Sequence, residues 1–204
     1  MALAAPLRLL SVVFAFSLAA APGPAVPDEG VPVERARAFV AELGGEVVAA
    51  LQSGRPLAER EVALRDVFLR GFDIDTIGRF VLGRYWRLAT PEQQAAYLDA
   101  YRGYVVHTYA DRLAGETVSG FAVTAAHEID GRQVIVETMI ERPGAPPLNY
   151  GWRVRDGGRG PKIVDVVVEG VSLLITQRSD FSAAIQNQGI DGLIDSLRQK
   201  VAET

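Results

Sequence analysis

The hydrophobic pattern of this chain changes near residue 118, from a helical period of about 3.6 residues to an alternation with a period of two. Four alternating segments follow, over residues 118–129, 133–141, 148–155 and 162–168. Asp130-Gly131 and the glycine-rich stretch 156–160 lie between segments, and both are tight-turn sequences. Consecutive strands joined by short turns form an antiparallel meander, so the alternation predicts a sheet with one buried face.

Helical patterns occur on both sides of these strands. Apolar residues recur at spacings of three and four in residues 33–52, 56–71, 72–83 and 90–114, and again from near Ser179 onwards. Asp191 is predicted to cap the last helix. Helices, then strands, then helices indicate the α+β class, with a four-stranded antiparallel sheet packed against several helices.

The helix over residues 90–114 has the clearest sequence signals. Thr90 is a predicted N-cap, Pro91 occupies the first helical position, and Gln93 completes a capping box. One broad stripe of this helix carries tyrosines and aliphatic residues: Tyr97, Leu98, Tyr101, Val105, Thr108 and Tyr109, with Tyr104 at its margin. Such a stripe is either an ordinary core face or an apolar surface that tolerates a polar neighbour.

Asp165 is an acidic residue inside an otherwise apolar strand. A buried carboxylate needs a partner, and Arg178, which follows the next apolar segment, is the candidate. This interpretation makes Asp165 and Arg178 a structural pair. The alternative is that Asp165 points to solvent and Arg178 is a surface residue.

The N-terminus has the pattern of a secretion signal. Arg8 precedes an apolar run at residues 9–21, which is shorter than the ~20 residues that span a bilayer, and small residues and prolines follow. We predict a cleaved signal peptide over residues 1–25, a linker over 26–32 and a single domain over 33–204. The mature protein is then periplasmic or secreted; an uncleaved anchor is the alternative.

The composition argues against several kinds of function. The net charge is −4, whereas phosphate backbones of nucleic acids require a basic face. The chain has no cysteine, and neither His107 nor His127 has a partner at metal-ligand spacing. Ser172 with a histidine, or the carboxylates of Asp73 and Asp75, are weak candidates for catalysis, because acids at a helix N-terminus usually cap it. We therefore predict that the chain is not an enzyme and uses no metal or cofactor.

The abundance of apolar residues is compatible with a cavity between the sheet and a helix that holds a water-insoluble ligand. A solid core is the alternative that composition alone leaves open. In either case, a non-lipid adaptor protein that docks through its helices remains a competing hypothesis.

Several segments, in their order and spacing, resemble the MlaC family of periplasmic phospholipid-binding proteins, which are auxiliary components of a toluene-tolerance ABC transporter. The segments are residues 72–73, 80–86, 89–93, 108–110 and 165–173, followed by Arg178 and Phe181. The resemblance covers roughly residues 33 to 200. Gln177 replaces an aromatic residue that the family often has there, and this version is similar to a hopanoid-associated branch.

The resemblance implies a lipid carrier that serves outer-membrane asymmetry. Acyl chains would enter a pocket between sheet and helices, and the carrier would move phospholipid between an outer-membrane lipoprotein complex and an inner-membrane ABC transporter. A hopanoid or another polycyclic lipid is the alternative cargo. The bound lipid is cargo, so no cofactor is expected.

On this interpretation, the predicted lipid-binding residues lie on the long helix, the segment before it and the inner face of the sheet. They are Phe80, Tyr85, Tyr101, Tyr104, Val105, Tyr109, Val134, Val136, Ile140, Trp152, Val154, Val166 and Val168. Arg84 and Arg153 are the predicted contacts to a lipid phosphate.

Overall fold

The computed structural model describes residues 30–203. The predicted signal peptide (1–25) and most of the predicted linker (26–32) therefore lie outside the described residues. Within residues 30–203, no helix has the length and apolarity that crossing a membrane requires.

Six α-helices surround one face of the sheet in the described part of the chain. They are α1 (Val33–Gln52), α2 (Leu57–Gly71), α3 (Ile74–Leu82), α4 (Pro91–Val105), α5 (Arg112–Ala114) and α6 (Leu173–Ala202). A 3-10 segment, Gly83–Arg87, follows α3, and a π-helical segment, Val106–Asp111, joins α4 to α5. The predicted capping box is present, since Thr90 Oγ1 accepts from the Gln93 N–H at 3.2 Å and Gln93 Oε1 accepts from the Thr90 N–H at 3.1 Å.

The sheet is an antiparallel meander, as the alternating segments predict. Its strands are β1 (Gly120–Glu128), β2 (Gln133–Arg142), β3 (Ala145–Asp156), β4 (Pro161–Val168) and β5 (Val171–Ser172), and each pairs with the next. The α+β class is confirmed, but the sheet has five strands instead of four. The additional strand β5 has two residues, too few for an alternating pattern, and a tight turn with positive φ at Glu169 and Gly170 brings it back onto β4.

The start of α6 differs from the prediction. The helix begins at Leu173 and not near Ser179, because Ser172 acts as its N-cap and accepts a hydrogen bond from the Ile175 N–H at 3.1 Å. The predicted break at Gly189 is a kink within α6, where φ is 75°. Asp191, the predicted cap, instead accepts a hydrogen bond from Gln93 Nε2 at 3.0 Å.

Buried side chains form three clusters that pack around the sheet. One joins α3, α4 and α6 and contains Tyr97, Tyr101 and Phe181. A second packs α1 onto Val134, Val136 and Val154 of the sheet, and a third lies between α1, α2 and α5. Members of all three clusters line one internal space, so the helices enclose a cavity against the sheet.

Candidate functional site

The cavity between the sheet and the helices has a volume of about 540 Å³. Small-molecule sites typically measure roughly 300–1,000 Å³. Its wall is mostly apolar and comes from α1, α2, α3, the α4 to α5 segment, strands β1 to β4 and the first turns of α6. The apolar lining includes Val40, Leu43, Val47, Leu64, Val67, Phe68, Phe72, Ile77, Leu113, Val118, Phe121, Leu148, Val164, Leu173 and Leu174. This arrangement can hold a hydrocarbon ligand.

Part of the set predicted from the sequence lies on the cavity wall. Those residues are Tyr101, Val105, Tyr109, Ile140, Trp152, Val166 and Val168. They belong to the long tyrosine-bearing helix and to the inner face of β2, β3 and β4. Their contact with a lipid stays a prediction.

The predicted strand residues Val134, Val136 and Val154 do not line the cavity. They are fully buried at one end of the sheet, where α1 packs directly onto them. Alternation along a strand identifies the inner face correctly. It does not indicate which part of that face a helix covers.

Phe80, Tyr85 and Tyr104 also lie away from the cavity wall. Phe80 is 41% exposed, with the Arg178 guanidinium 4.8 Å from its ring centroid. The Tyr85 hydroxyl accepts a hydrogen bond from Arg84 Nη2 at 3.0 Å. The Tyr104 ring packs against Phe181, with centroids 6.2 Å apart. The prediction of these three as cavity residues is therefore corrected.

Asp165 is buried, but its partner is not Arg178. The carboxylate accepts a hydrogen bond from Ser172 Oγ at 2.7 Å and one from the Leu174 N–H at 3.2 Å, and Arg153 Nε lies 3.9 Å away. Asp165 thereby ties β4 to the start of α6 beside the cavity. Arg178 stacks on Phe80 instead, so the predicted structural pair is wrong.

The two arginines predicted at the headgroup also have other positions. Arg84 stacks over the Tyr85 ring at 4.9 Å, and Arg153 faces Asp165. Neither lines the cavity. The arginines on the cavity wall are Arg112, in α5, and Arg142, at the end of β2. No pattern in the sequence indicates these two arginines, because which arginine reaches the cavity depends on how α5 and the β2–β3 hairpin pack.

The remaining polar candidates have structural partners. Asp73 caps α3 by accepting from the Thr76 N–H at 3.2 Å and binds Arg155 Nη2 at 2.5 Å. Burial raises the pKa of the Asp73 carboxyl, but the hydrogen bonds from Arg155 and Thr76 outweigh it and hold that pKa below its usual range. Asp75 pairs with Arg102 at 2.7 Å. Each carboxylate thus has its own arginine, and the two do not act as a pair.

A hydrogen bond inside the cavity wall links two polar side chains. Tyr101 Oη donates to Gln177 Oε1 at 2.5 Å. Burial raises the pKa of the Tyr101 hydroxyl well above its usual value, so the group stays a neutral donor. Gln177 therefore contributes a satisfied polar group to an otherwise apolar wall.

The π-helical segment forms part of the wall and is fixed from outside. Arg65 on α2 donates two hydrogen bonds to the Asp111 carboxylate, at 2.6 and 2.8 Å, and His107 Nδ1 lies 3.0 Å from Asp111 Oδ2. Burial raises the pKa of the Asp111 carboxyl, but the hydrogen bonds from Arg65 and His107 outweigh burial and hold that pKa below its usual range. This network holds Thr108, Tyr109 and Ala110 against the cavity.

The cavity opens to solvent near α5. Tyr109 is 39% exposed although it lines the cavity, and the lining residues Arg112 and Glu116 are also exposed. Among residues 30–203, no group of three or more acidic or histidine side chains is placed to hold a metal ion. The site is therefore an apolar cavity with a charged mouth.

A search of protein families matches the model described as MlaC protein to residues 42–199. Among curated proteins, the chain is 24% identical over 144 residues to the intermembrane phospholipid transport system binding protein MlaC of Haemophilus influenzae. That alignment covers 69% of this chain and 67% of the relative. The toluene tolerance protein ttg2D of Pseudomonas putida is 25% identical over 134 residues, covering 64% of this chain and 62% of that protein.

A solved structure has a similar fold. It is the phospholipid-binding protein of Ralstonia solanacearum in complex with a phospholipid. The two structures superpose with a TM-score of 0.71 at 25% sequence identity, over 82% of this chain and 97% of the other.

Proposed function

This chain belongs to the MlaC protein family, and we propose that it is a periplasmic carrier that holds the acyl chains of a phospholipid in the cavity. The observation that carries the proposal is the cavity itself, about 540 Å³ in volume, with apolar walls and a mouth near α5. The phospholipid bound by the Ralstonia solanacearum protein of the same fold supports this choice of ligand.

The energetics explain why such a ligand needs a carrier. Two acyl chains expose ~30 methylenes, and each costs ~0.8 kcal/mol in water, so bare transfer would cost above ~20 kcal/mol. An apolar cavity removes most of that cost. The free energy of the acyl chains in the cavity must be no lower than in a bilayer, since the cargo would otherwise never leave the protein.

Loading and release then require partner proteins that bind the lipid-loaded carrier and the empty carrier with different affinities. We propose an outer-membrane lipoprotein complex at one membrane and an inner-membrane ABC transporter at the other. The Haemophilus influenzae relative is named as the binding protein of an intermembrane phospholipid transport system, which supports exchange between two membranes. The lipid is cargo, and neither a cofactor nor a catalytic step has a place in this function. The N-terminal residues 1–25 would direct the chain to the periplasm.

A polycyclic lipid such as a hopanoid is the second candidate cargo. It is favoured by Gln177, which places an amide on the otherwise apolar cavity wall. The hydroxyl group of a rigid, nearly uncharged lipid would form a hydrogen bond with that amide.

Transfer between vesicles tests the proposal. Donor vesicles contain a fluorescent phospholipid with a self-quenching label, and acceptor vesicles contain none. The protein should raise the transfer rate at least about tenfold, a change of ~1.4 kcal/mol in the barrier. Unchanged transfer together with no lipid uptake by the protein would contradict it and favour a non-lipid adaptor. Uptake of a hopanoid but not of phospholipid would replace the first cargo by the second.

A further inference from the structure

Three charged side chains lie where the apolar cavity meets solvent. Arg112 and Glu116 are exposed and come from the helical wall, and the half-buried Arg142 comes from the end of β2 on the opposite wall. Asp165 also lines the cavity, but it is buried and hydrogen-bonded to Ser172 and Leu174. The charges available to a ligand are therefore concentrated at the mouth.

Arg142 has an unused donor at this position. Its Nη2 donates to the Pro146 carbonyl at 3.1 Å, which orients the guanidinium, whereas its Nε is shielded from solvent and has no hydrogen-bond partner. Protein atoms cover this Nε, so it is out of reach of a ligand. The Nη1 and Nη2 hydrogens that do not bond Pro146 remain for an anionic oxygen in the mouth, because the Arg142 side chain lines the cavity.

The other two charges also lack partners. Within residues 30–203, the side chains of Arg112 and Glu116 form no hydrogen bond and no ion pair. Glu116 follows the end of α5 by two residues and lines the same cavity as Arg112, so a positive and a negative group are available on one wall.

We propose that these residues form a headgroup site, in which Arg142 and Arg112 bind the lipid phosphate and Glu116 binds a terminal amine. This inference rests on the proposed function, because it assumes that a lipid occupies the cavity. Guanidinium groups match the geometry of phosphate oxygens and form charge-assisted hydrogen bonds with them. The carboxylate of Glu116 repels a lipid headgroup with a second negative charge and attracts a headgroup that ends in a cationic amine. The preferred cargo is a zwitterionic phospholipid of the phosphoethanolamine type.

The site also explains how one lipid class is selected over another. The acyl chains of a diacylglycerol and of a phospholipid fill the cavity equally well, so hydrocarbon alone does not distinguish them. Contacts of the phosphate with Arg142 and Arg112 exist only for the phospholipid. An uncharged polycyclic lipid likewise leaves the Arg142 donor unpaired.

Competitive uptake tests this site. Delipidated full-chain protein is mixed with vesicles that contain phosphatidylethanolamine, phosphatidylglycerol and diacylglycerol with the same acyl chains, and the bound lipids are quantified by mass spectrometry. Arg142→Gln should lower the ratio of bound phospholipid to diacylglycerol about tenfold, because a charge-assisted contact is lost. Arg132→Gln is the matched control, since Arg132 is exposed in the β1–β2 turn and does not line the cavity; it should leave the ratio unchanged.

Glu116→Gln should affect a different ratio. We expect it to lower bound phosphatidylethanolamine relative to phosphatidylglycerol about threefold, as for a solvent-exposed charge contact, and to leave the ratio of phospholipid to diacylglycerol unchanged. Diacylglycerol uptake reports that each variant is folded. If Arg142→Gln binds no lipid at all, Arg112→Gln replaces it, because Arg112 is exposed and its loss leaves no packing defect.

The inference is overturned if the folded arginine variants keep the phospholipid preference of the unmodified chain, or if Arg132→Gln changes it equally. An excess of inorganic phosphate should not displace bound phospholipid, since the acyl chains supply most of the binding energy. Displacement would assign the arginines to free phosphate instead and would overturn the headgroup assignment. Failure of the unmodified chain to bind any of the three lipids would instead contradict the proposed function.

Discussion

Replacing Val166 by tryptophan should lower the lipid bound per protein molecule at least about tenfold, which corresponds to ~1.4 kcal/mol or more of binding free energy. Val166 lies in β4, is only half-buried and lines the cavity. An indole at this position would occupy space that the acyl chains need. Because the cavity has room for it, the fold should avoid the cost of about 1–3 kcal/mol that overpacking causes in a filled core. The measurement is lipid quantification after saturation with phospholipid vesicles.

The neighbouring residue provides the matched control. Val167 is also half-buried in β4, but successive strand residues face opposite sides of the sheet, and Val167 does not line the cavity. Val167→Trp should therefore bind lipid like the unmodified chain. Equal lipid binding by Val166→Trp and the unmodified protein, with both variants folded, would mean that the cavity does not hold the acyl chains.

Replacing Asp165 by alanine should lower the free energy of unfolding by about 3–4 kcal/mol. The change removes the acceptor for Ser172 Oγ and the Leu174 N–H and leaves Arg153 without its nearby carboxylate. The start of α6 then loses its attachment to β4. Equilibrium unfolding in denaturant at neutral pH measures the effect.

Asp195→Ala is the comparison for this prediction. The Asp195 side chain is 79% exposed and lies 3.8 Å from Arg198, so its loss should cost less than about 0.5 kcal/mol. If Asp165→Ala and Asp195→Ala had the same small effect, the Asp165 contacts would not stabilise the junction between sheet and helix.

The fold class could be predicted from the sequence because periodicity is a local property. The alternation from residue 118 onwards gave the antiparallel order of the strands, and the capping box of Thr90 and Gln93 gave the start of α4. The resemblance to the MlaC family is confirmed by the match over residues 42–199. These features depend on neighbouring residues or on segment order, both of which the sequence contains.

The site could be predicted only in part, because the cavity depends on how helices cover the sheet. Val136 and Ile140 lie on the same face of β2, but α1 packs onto the first, whereas the second lines the cavity. Strand periodicity cannot separate them. The choice of Arg178 as the partner of Asp165 failed for a related reason. The actual donors, Ser172 and the Leu174 N–H, become available only once β5 has folded back and α6 has begun at Leu173.

The π-helical segment at Val106–Asp111 gave no sequence signal. The uninterrupted helical pattern over 90–114 predicts a regular helix, yet the backbone forms a wider π-helical turn, at the end of which Asp111 contacts Arg65 and His107. Such turns occur frequently at functional sites, and this one lies on the cavity wall.

Native mass spectrometry of the protein, purified from the periplasm without detergent, tests the central claim most directly. The claim is that the space between the sheet and the tyrosine-bearing helix holds the hydrocarbon of a lipid. We predict that the main species exceeds the mass of the polypeptide by the mass of a bound lipid, which organic extraction removes and phospholipid vesicles restore. A main species at the bare polypeptide mass, unchanged after incubation with vesicles, would contradict the account.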